Sequence, residues 1–261
     1  MGITAPIVVV TDLDGTLLDH DTYDPGPAAA KVAALAAADV PVVCCSAKTR
    51  AEQQVHRTEL GLTGWFVIEN GAAVHEDDGP VHVLGLAYDD VRGRLARAAT
   101  ALGVTLRGFG DMDVEEVVQR TSLAPEAAAR ARIRDHTEPF VVIDGEADER
   151  TLRAALGDVD LGLQRGARFW TASGHHDKGI AVTVLRELFT VEYGARPLIY
   201  GLGDTYNDAA MLAAVDIAML VQRPDGSWAD LDVGNLTRID GVGPTGWARA
   251  ADSILATVSA R

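Results

Sequence analysis

Four consecutive β-branched residues, Ile7-Val8-Val9-Val10, run directly into Thr11-Asp12-Leu13-Asp14-Gly15-Thr16 and narrow the folds open to this chain. A strand apolar at every position must be buried on both faces, the habit of parallel sheets covered by helices. Carboxylates at the C-terminal end of such a strand stand where open α/β sheets bind their ligands. Asp12 and Asp14 are two apart, so on a continuing strand they point the same way and repel. A hard divalent cation held by oxygen ligands would relieve that repulsion. Asp-x-Asp-Gly also opens calcium loops, but those need glycine where Leu17 stands and glutamate where Tyr23 stands. An idle turn is the remaining plain alternative.

The same alternation recurs toward both ends. Val40–Cys44 and Phe66–Ile68 read as further buried strands, with helices near 28–38 and 49–60, the latter stopped by Gly61. Later come a helix over Thr183–Tyr193, a strand at Leu198–Tyr200, a helix at Asp208–Ala214, a strand at Ile217–Val221 and a last helix at Thr245–Val258. This predicts an α/β fold, a doubly wound parallel-sheet core. The middle reads differently: helices near 89–101, 114–120, 125–135 and 149–156 are mixed with strands at 140–143, 161–164 and 168–171. Strands joined by a tight turn at Arg165-Gly166-Ala167 predict an antiparallel sheet with helices on one face. The expected organisation is a core of residues 1–82 and 174–261 with an α+β cap of residues 83–173 inserted into it.

A length of 261 residues and 48% hydrophobic content support a substantial core. Only six apolar residues in a row, Ala5 to Val10, come before the acidic residues, too few for a signal peptide or a membrane span. Cys44 and Cys45 are adjacent on a buried strand, which argues against a disulfide framework and for a reducing cytoplasm. The net charge of −15 disfavours nucleic acid and anionic membranes as partners. An anionic substrate therefore needs local cations. Lysine occurs only at Lys31, Lys48 and Lys178; Lys31 fits a solvated helix face.

Three more constellations fall at strand tips. Ser46 ends the second strand, and Lys48-Thr49-Arg50 follow where a helix begins. A hydroxyl, free helix N–H groups and two cations suit a phosphate, while a plain Ser/Thr cap is the alternative. Lys178 precedes a long amphipathic helix and is either a surface lysine or a charge donor to a phosphoryl group. The neighbouring His175 and His176 rarely point the same way, so solvent-exposed or substrate-flanking positions are expected. Gly201-Leu202-Gly203-Asp204-Thr205-Tyr206-Asn207-Asp208 adds two carboxylates after another strand, unless Asp204 or Asn207 merely caps a helix. Together, four carboxylates, a hydroxyl and a lysine at successive strand ends make a joint pattern that helix capping does not explain.

In this order the motifs resemble those of the haloacid dehalogenase superfamily of phosphotransferases: Asp12-Leu13-Asp14-Gly15-Thr16, then Ser46, then Lys178, then Gly203-Asp204-Thr205-Tyr206-Asn207-Asp208. An insert between the second and third motifs resembles the C2 cap of that superfamily. Cys45-Ser46-Ala47-Lys48-Thr49-Arg50-Ala51-Glu52, Glu69-Asn70-Gly71, Arg134 and Thr137-Glu138-Pro139-Phe140 are similar to the mannosyl-3-phosphoglycerate phosphatase family. Ala47, where serine is frequent, and His175-His176 depart from that pattern near the substrate end, leaving a mannosyl or a glucosyl substrate open.

The resemblance implies a Mg²⁺-dependent phosphatase. Asp12 would form an aspartyl phosphate, and Asp14 would act as general acid and then base. The metal would be held by the Asp12 carboxylate, the Asp14 backbone carbonyl and Asp204, with Asp208 reached directly or through water. Ser46 and Lys178 would hold phosphoryl oxygens, and Asn207 would orient phosphate or a water. Lys48, Thr49, Arg50 and Arg134 are the expected contacts to glycerate or sugar. Arg130 and Arg134, on one predicted helix, would share a face as an anion patch or a solvated one. The substrate would be a small sugar phosphate or glycosyl-phosphoglycerate, with a sugar phosphomutase or a phosphate-accepting binding module as rivals.

Overall fold

The strand β1 (Ile7–Thr11) is buried at each of its five positions because parallel neighbours flank it on both sides. The structure, a computed structural model, describes residues 5–166 and 168–261. From β1 the chain passes through α1 (Ala28–Ala37), β2 (Val42–Cys44), α2 (Arg50–Glu59), β3 (Trp65–Ile68), β4 (Ala73–Glu76) and β5 (Val81–Val83). The middle carries α3 (Tyr88–Leu102), β6 (Thr105–Gly108), α4 (Val114–Thr121), α5 (Pro125–Ala131), β7 (Thr137–Asp144), α6 (Glu149–Gly157), β8 (Gly162–Arg165) and β9 (Trp170–Ser173). The chain finishes with α7 (Lys178–Tyr193), β10 (Leu198–Gly203), a 3-10 turn (Tyr206–Asp208), α8 (Ala209–Ala214), β11 (Ile217–Gln222), β12 (Leu236–Val242) and α9 (Pro244–Ser259). Among the described residues no helix is long and apolar enough to cross a membrane.

Two units result, one of the residues up to Ala47 with His56–His82 and Asp177–Arg261, the other of Lys48–Val55 and Val83–His176. In the first, the strand order β12-β11-β10-β1-β2 is parallel throughout, with Ile7 opposite Leu198 and Thr11 opposite both Leu202 and Cys44. Successive residues of β1 face opposite sides. Val9 joins Leu35, Leu202, Trp247 and Ile254 in the core beneath α1 and α9, while Val8 and Val10 are buried on the other side. Helix α1 reaches that core with Ala28, Val32 and Leu35, spaced as one helical face requires. Lys31 lies off that face and pairs with Asp252 at 2.5 Å.

Phe66–Ile68 is a strand, but not the next member of the parallel sheet. It belongs to a three-stranded sheet, β3-β4-β5, in which β3 and β4 are antiparallel and Ile68 faces Ala73; a bridge from Cys45 to Val67 ties it to the end of β2. A sharp bend turns the chain back there. Glu69, Asn70 and Gly71 have φ of 46°, 59° and 99°, the left-handed region in succession.

The second unit holds an antiparallel sheet in the order β6-β7-β9-β8. Phe140 on β7 packs with Val91, Leu95, Leu152 and Leu156 of α3 and α6. Its neighbour Val141 joins Phe109, Met112 and Ala128 around α4 and α5. Adjacent strand residues point to opposite faces, so the helices are not confined to one face as the sequence suggested. Of the turn expected at Arg165-Gly166-Ala167, Ala167 lies outside the described residues. Helix α5 ends at Ala131, so Arg134 is not on it and the helix face expected to carry both Arg130 and Arg134 does not extend that far. The amides of Arg132, Ile133 and Arg134 bond back to Ala128, Arg130 and Arg132, winding the chain out of the helix.

Candidate active site

Two neighbouring strand tips and one helix start build the site. Strand β1 ends at Thr11, and the chain then curls, with the Leu18 and Thr16 amides donating to Leu13 O, while the Asp12 amide donates to Leu202 O on β10 (2.9 Å). The curl explains why Asp14 does not extend the strand as supposed: it is half-buried and leaves the line of β1. Beyond β10 comes Asp204. Its Oδ1 accepts from Thr16 Oγ1 at 3.0 Å, fastening the first acidic motif to the last. The 3-10 turn after it is capped by Thr205 with Asp208, not by Asp204 or Asn207. Asp208 Oδ2 accepts the amides of Asp204 (3.0 Å) and Thr205 (3.1 Å), leaving Oδ1 for the interior.

Lys178 fills that interior. It opens α7 directly after its N-cap Asp177, is 1% exposed, and donates from Nζ to Asp12 Oδ1 at 2.6 Å and Asp208 Oδ1 at 2.7 Å. Carboxylate oxygens of Asp12, Asp204 and Asp208 come within 4.8 Å of one another. Three buried carboxylates thus share one ammonium, and the charge does not balance. Burial pushes the Asp204 carboxyl up to about 7, with Asp208 and Asp14 adding and Thr16 and Lys178 opposing. Burial likewise raises Asp12, against the pull of Lys178 and with the push of Asp208, Asp204 and Asp14. Burial alone would lower Lys178, but Asp12 and Asp208 outweigh it and hold the ammonium protonated. Hard oxygen donors, buried and short of positive charge, fit a divalent cation of the magnesium kind.

Ser46 is buried at the tip of β2, its amide donating to Val67 O and its carbonyl accepting from the Asn70 amide. Asn70 in turn accepts from Asn207 Nδ2 at 2.9 Å, so the left-handed bend after β3 joins the second and fourth motifs. Asn70, part of Glu69-Asn70-Gly71 but given no role from the sequence, thus touches a residue of the fourth motif. The bend also seats against the start of α7: a Cβ on Gly71 would stand 2.1 Å from the Asp177 carbonyl oxygen. Replacing Gly71 by Ala is therefore expected to cost on the order of 3 kcal/mol or more, from a positive φ plus a backbone collision. Gly61 supplies the control, since its φ is 65° but nothing lies within 4 Å of its would-be Cβ; Gly61→Ala should cost only about 1 kcal/mol. Urea unfolding of both variants decides, and equal losses would show that Gly71 serves no close approach.

The remaining candidates lie in the second unit. Thr49 starts α2 in a reciprocal cap, its amide donating to Glu52 Oε2 and its Oγ1 accepting from the Glu52 amide, while its one hydroxyl proton goes to Arg130 O at 3.1 Å. Lys48 is buried and Arg50 exposed. The Arg134 guanidinium donates to the Thr137 carbonyl (2.9 Å) and hydroxyl (2.7 Å) and to Ala131 O (3.3 Å), stitching the turn after α5. His175 is exposed and lies 3.1 Å from Asp160, whereas His176 is buried, outside the solvent-exposed option. The thiols are no nucleophiles. Burial pushes Cys44 up to about 12 and Cys45 higher still.

The sequence profile of the haloacid dehalogenase-like hydrolases matches residues 9–102. A glucosyl-3-phosphoglycerate/mannosyl-3-phosphoglycerate phosphatase of Methanococcoides burtonii is 34% identical over 259 residues, covering 93% of this chain and 95% of its own. A protein of the same description from Persephonella marina is 33% identical over 264 residues, 95% of this chain and 97% of its own. Among solved structures, a Thermoplasma acidophilum protein superposes with a TM-score of 0.68 at 16% identity, covering 98% of this chain and 99% of its own. A haloacid dehalogenase-like hydrolase from Bacteroides thetaiotaomicron does so with 0.66 at 15%, covering 95% and 99%. These structural likenesses speak to the fold.

Proposed function

Because this chain belongs to the haloacid dehalogenase-like hydrolases and is a phosphatase, we propose that it removes phosphate from a glycosyl-3-phosphoglycerate, mannosyl or glucosyl, through Asp12. The supporting observation is the buried lysine shared by Asp12 and Asp208 beside Asp204. Asp12 attacks phosphorus in line; the bond to its Oδ forms as the bond from phosphorus to the C3 oxygen of the glycerate breaks. Asp14 gives its proton to that leaving oxygen. It then takes one from the water that attacks the aspartyl phosphate, releasing phosphate and restoring the Asp12 carboxylate.

The Lys178 ammonium and Ser46 hydroxyl hold the phosphoryl oxygens as charge moves across them. Asn207, fixed by Asn70, orients phosphate or a water. Mg²⁺, held by Asp12, the Asp14 carbonyl, Asp204 and Asp208, would supply Lewis-acid neutralisation of charge at phosphorus. Lys48, Arg50 and Arg134 are the groups we assign to the glycerate carboxylate or sugar; Thr49 serves them by holding the start of α2. The second unit acts as the cap that excludes water. Two buried, unpaired thiols suit a cytoplasmic setting.

A panel of phosphomonoesters that includes both glycosyl-3-phosphoglycerates, simple sugar phosphates and 3-phosphoglycerate tests this. The glycosyl-3-phosphoglycerates are expected to give the highest kcat/KM, with free phosphate as product. An isomerised sugar phosphate without phosphate release would make the enzyme a mutase. A stable phosphoprotein without multiple turnover would make it a binding module.

A further inference from the structure

We propose that Trp247, in the C-terminal helix α9, is a positioning residue that sets the backbone of the nucleophile Asp12 through the hydroxyl of Thr11. The inference rests on the phosphatase reading above and names a part of its machinery that no motif contains. Trp247 is the largest fully buried side chain, and Thr11 is likewise inaccessible. The indole Nε1 donates to Thr11 Oγ1 at 2.9 Å, and Thr11 Oγ1 donates to the Asp12 carbonyl oxygen at 2.7 Å.

The chemistry of the three groups fixes the direction of this relay. An indole N–H can only donate, and a hydroxyl has one proton. Once Oγ1 faces the indole as acceptor, its proton is aimed at the carbonyl. The Asp12 amide is held separately by Leu202 O at 2.9 Å, so both peptide groups flanking its Cα are fastened. The same helix meets the acidic loop again at its start. The Trp247 amide donates to Gly243 O, and a Cβ on Gly243, whose φ is 47°, would lie 3.3 Å from Gly15 O. With no water access, loss of the Thr11 hydroxyl leaves the indole N–H unpaired and frees the Asp12 carbonyl, and loss of the indole donor lets the hydroxyl turn away from that carbonyl; either way Asp12 gains freedom about its own backbone. In-line attack is sensitive to displacements of that size.

Trp247→Phe keeps an aromatic side chain and deletes the donor. Thr11→Val deletes the hydroxyl with little change of shape, and Thr11→Ser restores it. Steady-state kinetics with the fastest phosphoester of the panel should show kcat about fivefold lower for Trp247→Phe and for Thr11→Val, each with KM within about twofold. Thr11→Ser should stay within about twofold of wild type. The double variant should be no slower than Thr11→Val alone, because Trp247 acts only through that hydroxyl. Unchanged kcat in Trp247→Phe, or losses that multiply in the double variant, would overturn the assignment. If Trp247→Phe does not fold, the contrast between Thr11→Val and Thr11→Ser decides on its own. A wild type that hydrolyses no phosphoester refutes the activity itself, a different result from an active wild type indifferent to Trp247.

Discussion

Asp12→Asn is expected to lower phosphate release by on the order of 10⁴-fold or more, the scale seen when a nucleophile is removed from a preorganised site. The variant should nevertheless fold, and its metal-free Tm should be no lower than that of the wild type. The reason lies in the charge. Burial, with the push of three neighbouring carboxylates, raises the Asp12 carboxyl despite the pull of Lys178, so its ionised form is held at a cost in stability that a neutral amide does not incur. Lys178 keeps Asp208 as its partner at 2.7 Å. Phosphate release and thermal unfolding of one preparation separate the two effects. Turnover within tenfold of wild type would remove Asp12 from the nucleophile role, and a collapsed Tm would show that the carboxylate is structural.

Removal of divalent metal is expected to stop phosphate release, and Mg²⁺ to restore it. The burial-driven rise of Asp204 to about 7 adds a pH signature with a definite sign. Between the ordinary carboxylate range and pH 7, the folded metal-free protein holds a proton that the unfolded chain has released. The contribution of this group to stability is therefore present at acid pH and lost as pH rises through about 7. Metal must displace the same proton, so below pH 7 its apparent affinity should weaken by about tenfold per pH unit. Mg²⁺ titrations followed by the shift in Tm at pH 8, 7 and 6 measure this. Full activity in excess chelator, or a Mg²⁺-induced shift that does not shrink from pH 8 to pH 6, would defeat the metal assignment.

Strand-tip chemistry was legible in the sequence because it follows from a rule about sheets. A β-branched run followed by Asp12, a second run followed by Ser46 and a third followed by Asp204 put three functional groups on one sheet edge before any contact is known. Lys178 followed from its rarity and its place at a helix start. What stayed hidden depends on backbone geometry and long-range packing. Glu69-Asn70-Gly71 is legible as a motif by resemblance, but the partner of Asn70 is not: the run of left-handed φ at these three residues brings it to Asn207. Trp247, at helical spacing among alanines, reads as core, and its donor role needs the Thr11 hydroxyl beside it. Strand β12 does not read as a strand because Leu236–Val242 spaces its apolar residues three apart, at Leu236, Ile239 and Val242, and carries Gly241 near its end. Strand β6 is four residues with an arginine and a glycine. Arg134 was placed on α5 because Ala127–Ala131 continues a helical pattern that the backbone abandons at Arg132.

The central pair of strands joins segments far apart in sequence, with Ile7 beside Leu198 and Thr11 beside Leu202. A ribosome therefore releases the first acidic motif long before the strand that will neighbour it has been made. Until Lys178 and β10 emerge, Asp12 has neither its counter-charge nor its backbone tether. Pairing so remote in sequence is slow, since a large loop must close before any contact rewards it. On the proposed chemistry no phosphoester can be cleaved until Asp204 and Asp208, beyond β10, have been synthesised.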